Sequence, residues 1–232
     1  MATAFDSYAH DYDAALSRGL AVSGEDKSFF AKGRVVWLTR CLARLGFSAE
    51  TVLDYGCGTG TSVPLFLGLL GARRVVGVDV SERSLQVARQ THCGRPVEYT
   101  TTDQYVPDGT IDLAFCNGVF HHVPPPERGR VIDYIARCLR PGGLLALWDN
   151  NPWNPGARYV MSRIPFDKEA VMLSARQAAS LCRSAGLQPL SIHYCFIFPR
   201  VMRFLRFLEP RLARLPLGAQ YQVLACKAND EG

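Results

Sequence analysis

The chain reads as an α/β protein built on a doubly wound, mostly parallel sheet. Three observations lead there. Short apolar runs alternate with segments of helical period, one strand-like run ends in a glycine-rich turn at residues 54–60, and a second ends in Asp79. Such alternation sets helices on both faces of a sheet whose strands run the same way.

The elements follow in order. Ser23-Gly24-Glu25-Asp26 supplies a cap and acids ahead of Phe29, Phe30, Val35, Val36, Leu38, Leu42 and Leu45. Those apolar residues recur at helical spacing up to Gly46 and predict a helix that covers the sheet. Val52 and Leu53 open a buried strand, and the apolar run 63–70 predicts a helix starting from the glycine turn, its free N–H groups facing whatever the turn binds. Arg74-Val75-Val76-Gly77-Val78-Asp79-Val80-Ser81 is a second strand, Leu85, Val87 and Ala88 mark a helix, and Val97-Glu98-Tyr99 marks a third strand. Residues 111–116 form a continuous apolar strand of parallel type. Pro125 and Pro126 open a helix to Leu139, Gly142-Gly143 leads into a strand at 144–148, and Ser174-Ala175-Arg176-Gln177 is a capping box whose helix ends at Gly186.

The end of the chain breaks this alternation, because 192–198 and 221–227 both read as strands with no ordinary crossover between them. The insertion 199–215 mixes five arginines with bulky apolar residues and predicts a short amphipathic helix. Either it packs its apolar side on the domain with its arginines in solvent, or it contacts a membrane surface or a lipid-like substrate.

The glycine turn carries the most chemistry. Gly56, Gly58 and Gly60 free the backbone to take positive φ and to approach a ligand without a Cβ in the way. A dinucleotide turn reads G-x-G-x-x-G, and Thr61 stands where its third glycine belongs. The pattern here is acid-x-G-x-G-x-G, with Asp79 downstream where a ribose-binding carboxylate belongs.

With these features the chain resembles the class I S-adenosylmethionine-dependent methyltransferases, in the small-molecule branch similar to the ubiquinone and menaquinone methyltransferases. The resemblance covers about residues 48–150. It rests on Val52-Leu53-Asp54-Tyr55-Gly56-Cys57-Gly58-Thr59-Gly60, Val76-Gly77-Val78-Asp79, Thr102-Asp103, Ile111-Asp112-Leu113-Ala114-Phe115 with His121-His122-Val123, and Leu139-Arg140-Pro141-Gly142-Gly143. It implies a Rossmann-like, seven-stranded, mostly parallel sheet with an antiparallel C-terminal strand, the last two strands forming an antiparallel pair at the sheet edge. It also implies S-adenosylmethionine as cofactor and S-adenosylhomocysteine as product. Asp54 and the glycine loop would hold the methionine end, Asp79 with Val80 the ribose, Asp103 with Gln104 the adenine, and Asn117 and Gly118 the methyl-donor end. The physics agrees, since the cofactor offers an ammonium, a diol and an exocyclic amine, all donors that a carboxylate can accept from. A pyrophosphate on the same turn would be repelled by Asp54.

Composition agrees with one enzyme domain: 232 residues that are 48% apolar suffice for a full core. Within it residues 1–47 read as an N-terminal helical lid, 48–150 as the cofactor core, and 151–232 as a substrate-side link with a C-terminal hairpin carrying the insertion 199–216. The net charge of +5 is interspersed, so a nucleic-acid substrate is not implied. Eight scattered cysteines without a C-x-x-C pair look like small buried hydrophobes in a reducing cytoplasm. Residues 1–10 lack the basic and apolar character of a signal peptide, and no apolar run approaches membrane-spanning length. A cytoplasmic protein is expected, with peripheral membrane association only through 199–215.

For catalysis, methyl transfer from a sulfonium is an in-line displacement in which holding the acceptor near the methyl carbon is a large share of the work. His121 and His122 follow the 111–116 strand at the edge where ligands bind, and one of them could deprotonate a hydroxyl. Their opposing reading is a fold motif that closes the pocket. A metal at these histidines and Cys116 is not expected, because no carboxylate or second cysteine completes a ligand spacing. Acceptor recognition falls to Tyr8 and His10, in the segment that the resemblance folds over the cofactor, and to Asn151 and Trp153 in the long link after a strand end. Tyr8 and His10 are also alternative bases. The expectation is methyl transfer to oxygen or carbon of a small or lipid-like acceptor. The alternatives are a non-catalytic S-adenosylmethionine-binding partner subunit and, behind it, an NAD(P)-dependent oxidoreductase.

Overall fold

The computed structural model describes residues 20, 23–164, 167 and 169–229. Seven strands form one sheet: β1 (Thr51–Tyr55), β2 (Arg74–Asp79), β3 (Val97–Thr101), β4 (Ile111–Asn117), β5 (Leu139–Asn150), β6 (Leu187–Cys195) and β7 (Gln220–Lys227). Their order is β3-β2-β1-β4-β5-β7-β6. The first five are parallel, and β7 runs antiparallel to both β5 and β6. From β1 the chain winds outward to β2 and β3, then returns to the other side of β1 as β4. That reversal leaves a crevice at the C-terminal ends of β1 and β4, where ligands bind in open α/β sheets.

Helices cover both faces because side chains alternate along each strand. Val52, Val75 and Phe115 point toward Val35, Leu38 and Leu42 of α1 (Lys27–Leu45), with Phe66 and Leu85 beside them. Leu53, Val76 and Cys116 point the opposite way, toward Ile132 and Ile135 of α4 (Arg128–Cys138) and Ala178 and Cys182 of α6 (Ala175–Ser184). Fully burying a side chain such as Leu53 or Val52, both at 0% exposure, contributes about 1.5 to 3 kcal/mol.

The helix ends are those the sequence announces. The Asp26 side chain accepts from Phe29 N and Gly46 closes α1 at φ 63°, while Ser174 and Gln177 form a complete capping box. α3 (Glu82–Thr91) is capped by Ser81, and α5 (Pro155–Arg163) by Asn154.

Several boundaries differ from expectation. β6 begins at Leu187 rather than 192, because Gly186 at φ 72° turns the chain from helix straight into strand. It stops at Cys195 rather than 198, since Phe196 takes φ 62°, a left-handed conformation rare for a side chain of that size. Ring contacts with Phe29, Phe30 and Trp148 hold it there. β5 reaches back through Gly142-Gly143 to Leu139, with an irregularity in its pairing to β4. Gly143 is needed in it, as a Cβ there would lie 2.8 Å from Arg140 O and 3.0 Å from Ile111 O. The 63–70 run is α-helical only over Val63–Leu65, designated α2, and continues as a π-wound turn at Phe66–Leu70 that ends at Gly71. All eight cysteines are free thiols, six of them buried. No helix among the described residues is long and apolar enough to cross a membrane.

The insertion departs most. It folds as a kinked 3-10 helix, Arg200–Leu208, followed by α7 (Glu209–Leu212). Its apolar residues face outward, with Val201, Phe204 and Phe207 at 82%, 69% and 67% exposure. Arg206 turns inward instead, pairing with Glu25 at 2.9 Å and lying 4.5 Å over the Phe29 ring. A half-buried guanidinium with a carboxylate and a ring to rest on displaces the simple apolar-in arrangement.

Candidate active site

Two cavities open at the C-terminal edge of the sheet, one of about 390 Å³ beside the glycine turn and one of about 410 Å³ beyond it. They share a wall made by Lys27, Arg34, Asn117, Gly118 and His122. One strand end and one helix build that wall: β4 ends at Asn117, with Gly118 and His122 following it, and α1 lays Lys27 and Arg34 across the crevice.

In the first cavity the glycine turn folds back on β2, where Gly56 N and Cys57 N both donate to Val78 O. Asp79 then ties the turn to the next helix: its carboxylate accepts from Gly58 N at 2.8 Å and from Ser81 N at 2.9 Å. Gly58 lines the cavity at φ 51° with nothing within 4 Å of where a Cβ would stand, so a side chain there would intrude on a ligand. Asp54 is almost wholly buried. Burial, with Asp79 nearby adding repulsion, pushes its carboxyl up to about 7 despite Arg34. The Asn117 carbonyl oxygen is buried in the shared wall and has no protein donor.

Seven of the predicted cofactor residues line this cavity: Asp54, Gly56, Gly58, Asp79, Val80, Asn117 and Gly118. Gly60 does not. It is buried behind the turn, where a Cβ would meet Tyr99 Oη at 2.5 Å and the His92 ring at 2.8 Å, so its role is close packing. Asp103 and Gln104 do not line it either and are exposed, while the adjacent Thr102 does line it. Lys27, Ala31 and Arg34 were not anticipated. Their i, i+4, i+7 spacing on α1 is the signal: two cations flanking a small residue on one helix face.

The second cavity has an apolar body, with Phe29, Phe30, Met161, Ile164 and Phe196 among its walls. Its polar end is a group of histidines and carboxylates. His121 donates from Nδ1 to Asp149 Oδ1 at 2.6 Å, and both side chains are buried. Asp167 Oδ1 lies 3.2 Å from His122 Nε2 and 3.6 Å from His121 Nε2. Burial opposes a charge on His121, but the Asp149 carboxylate outweighs it and raises the imidazole to about 10. Burial likewise raises Asp167, and the two histidines beside it more than reverse that, holding its carboxyl below the usual range. Asp167 arrives from far along the chain because Val171 N donates to His121 O at 2.8 Å and Arg128 donates to Val171 O. Sequence spacing contains no trace of that carboxylate.

The predicted acceptor residues fare differently. Asn151 is fully buried, but its amide donates to the carbonyls of Pro216 and Gly218 and its oxygen accepts from Trp153 N. It anchors the end of the insertion and lines neither cavity. Trp153 is 72% exposed and lines neither. Asn150 and Asn154 from the same link do line the second cavity. Tyr8 and His10 lie outside the described residues.

Comparison with known proteins fits this geometry. A family profile described as "Methyltransferase domain" matches residues 52–143, the segment from β1 to the start of β5. A ubiquinone biosynthesis O-methyltransferase of Thiobacillus denitrificans is 30% identical over 160 residues, 62% of this chain and 67% of that protein. The chain belongs to the class I S-adenosylmethionine-dependent methyltransferases. A trans-aconitate 2-methyltransferase of Azoarcus sp. (strain BH72) is 33% identical over 159 residues, 67% of this chain, and the match spans 61% of that relative's own length. Among solved structures, a SAM-dependent methyltransferase from Thermotoga maritima superposes with a TM-score of 0.65 at 21% identity, covering 96% of this methyltransferase and 97% of that chain. At that identity the likeness is one of fold. Family membership removes the oxidoreductase alternative, and S-adenosylmethionine is the cofactor.

The residues of the first cavity fit that cofactor. It needs acceptors for an ammonium and a diol, which Asp54 and Asp79 would offer, and a cation for a carboxylate, which Arg34 or Lys27 would offer. The Gly58 cradle and the unpaired Asn117 oxygen fit a group seated against the turn.

Proposed function

We propose that this methyltransferase transfers a methyl group to an oxygen of a small, largely apolar acceptor held in the second cavity. One observation carries the reading: Asn117, Gly118 and His122 line both cavities, so a methyl donor in the first and an acceptor in the second would meet there. Bound S-adenosylmethionine supplies an activated methyl group on a sulfonium. The chain's own residues do the rest by position and exclusion of water. Asp54 takes the ammonium, Arg34 the carboxylate and Asp79 the ribose hydroxyls. The cluster of Phe29, Phe30 and Phe196, with centroids 5.0 to 6.0 Å apart, closes the acceptor side against solvent.

At the polar end, His121, His122 and Asp167 line the acceptor cavity, with Asp149 behind His121, and this is where a hydroxyl would be activated. A hydroxyl must lose its proton for transfer to be complete, and the cluster offers groups that can take it, which supports oxygen as the methylated atom.

The lining also favours one acceptor class. Two relatives act, by name, on trans-aconitate and in ubiquinone biosynthesis. A tricarboxylate needs several cations free to meet it. Here Arg206 is already paired with Glu25, and Arg34 donates to Gln220 at 2.9 Å. An aromatic hydroxyl compound suits the apolar walls better. Calorimetry with S-adenosylhomocysteine, followed by turnover on phenolic acceptors and on trans-aconitate, tests this. Preference for the tricarboxylate would overturn the acceptor class. Cofactor binding with no turnover on any acceptor would favour the non-catalytic subunit.

The outward Val201, Phe204 and Phe207, flanked by Arg200 and Arg203, support contact of 199–215 with an anionic lipid surface. Co-sedimentation with phosphatidylglycerol vesicles should be lost in a Phe204→Asp, Phe207→Asp double variant. Equal sedimentation of both proteins would end that reading.

A further inference from the structure

We infer that His121, His122 and Asp167 form a binding site for a divalent transition-metal ion at the polar end of the acceptor cavity. Each of the three residues offers one donor atom, and these atoms all lie within 4.8 Å of one another. Ligation at about 2.1 Å sets neighbouring donors roughly 3.0 to 3.4 Å apart. The separations from Asp167 Oδ1 are 3.2 Å and 3.6 Å, so small side-chain adjustments complete the shell.

Two further observations point to a cation. First, Asp167 Oδ1 is buried and makes no hydrogen bond of acceptable direction, even with His122 Nε2 at 3.2 Å. Second, His121 is held from behind, where Asp149 accepts its Nδ1 proton at 2.6 Å. With Nδ1–H held by that bond, an ion that displaces the Nε2 proton meets a ring already fixed in orientation, the arrangement by which a carboxylate orients a metal-ligating histidine. Asn150 N also donates to Asp149 Oδ1, at 2.7 Å, which fixes the carboxylate itself.

Two imidazoles and one carboxylate suit zinc or another borderline divalent ion rather than magnesium or calcium. All three residues line the cavity, so the remaining coordination positions open toward the acceptor. An ion there would take oxygen donors, which narrows the acceptor to molecules with a hydroxyl beside a second oxygen. This narrowing rests on the methyltransferase reading, but the site does not, and its test uses neither methyl donor nor acceptor.

The full chain, stripped with EDTA, is titrated with Co²⁺ and followed by visible absorption. Expected is uptake of one ion per chain with the weak ligand-field bands of nitrogen and oxygen donors, displaced by Zn²⁺. Asp167→Asn and His122→Gln should each abolish it, and Asp149→Asn should weaken it by about 10 to 100-fold. Near-ultraviolet circular dichroism identifies which variants remain folded, and either ligand variant suffices. Absence of saturable uptake would overturn the site, leaving the histidines as a proton-carrying group. So would uptake that survives both ligand substitutions, or intense thiolate-to-metal bands that locate the ion on cysteines.

Discussion

His121 and Asp149 form a buried pair, Nδ1 to Oδ1 at 2.6 Å, with side chains 5% and 1% exposed. The histidine follows β4 and the aspartate lies near the end of β5, so the pair ties together two adjacent strand ends at the edge of both cavities. Removing one partner strands the other without water. Asp149→Ala should therefore destabilise the fold by about 3 to 5 kcal/mol, read by urea denaturation. A loss under about 1 kcal/mol would mean that the pair is not structural.

Asp54 sets a pH dependence. Its carboxyl titrates at about 7 in the cofactor-free protein, above the roughly 3.9 of an unfolded chain. The folded state therefore binds more protons between those values, and cofactor-free stability should fall as pH rises from about 4 to 7. An ammonium needs the ionised form, so S-adenosylmethionine affinity should run the other way, weakening as pH drops below about 7. Calorimetry from pH 5.5 to 8.5 checks this, and Asp54→Asn should flatten the curve. A flat profile in the unmodified protein would remove Asp54 from the ammonium.

Asp79 already accepts from Gly58 N and Ser81 N, and a carboxylate has lone pairs left for two hydroxyls. Asp79→Ala should weaken cofactor binding by about 1 to 3 kcal/mol. Because the same change loosens the glycine turn, Asp79→Asn is the needed control. It keeps an acceptor for the turn and should still lose affinity, and unchanged affinity in both variants would assign the ribose to another group.

Asn151 should behave as a structural residue. Its amide satisfies two carbonyls beyond the insertion, and leaving such groups unpaired costs about 1 to 3 kcal/mol. Asn151→Ala should lower the melting temperature with cofactor affinity retained. A changed acceptor KM at unchanged stability would restore it to the pocket.

What the sequence made legible follows from range. Gly46, Gly186, the Asp26 cap and the Ser174-Gln177 box act within one turn of chain, and each helix end falls where they stand. Strand faces were equally readable, since alternation is a property of neighbours. The first cavity was mostly visible for the same reason: Asp54, Gly56 and Gly58 fall within five residues of chain, and Asp79 ends the next strand. Asp103 and Gln104 fell outside the cavity, because a position one residue past Thr102 turns to solvent.

The acceptor half depended on contacts between distant segments. Phe196 leaves the β region only because Phe29, Phe30 and Trp148 surround it, which shortens β6. Asn151 looks like a pocket residue until Pro216 and Gly218 come back across it. Asp167 joins His121 and His122 through Arg128 and Val171, four segments with no shared local pattern. Local chemistry thus specified the sheet, the helix ends and the glycine-turn cavity, since backbone conformation and hydrogen bonding there are settled by adjacent residues. Only folding chose the walls of the second cavity and supplied a carboxylate to its histidines. Burial lets a few well-packed long-range contacts override what each segment prefers alone.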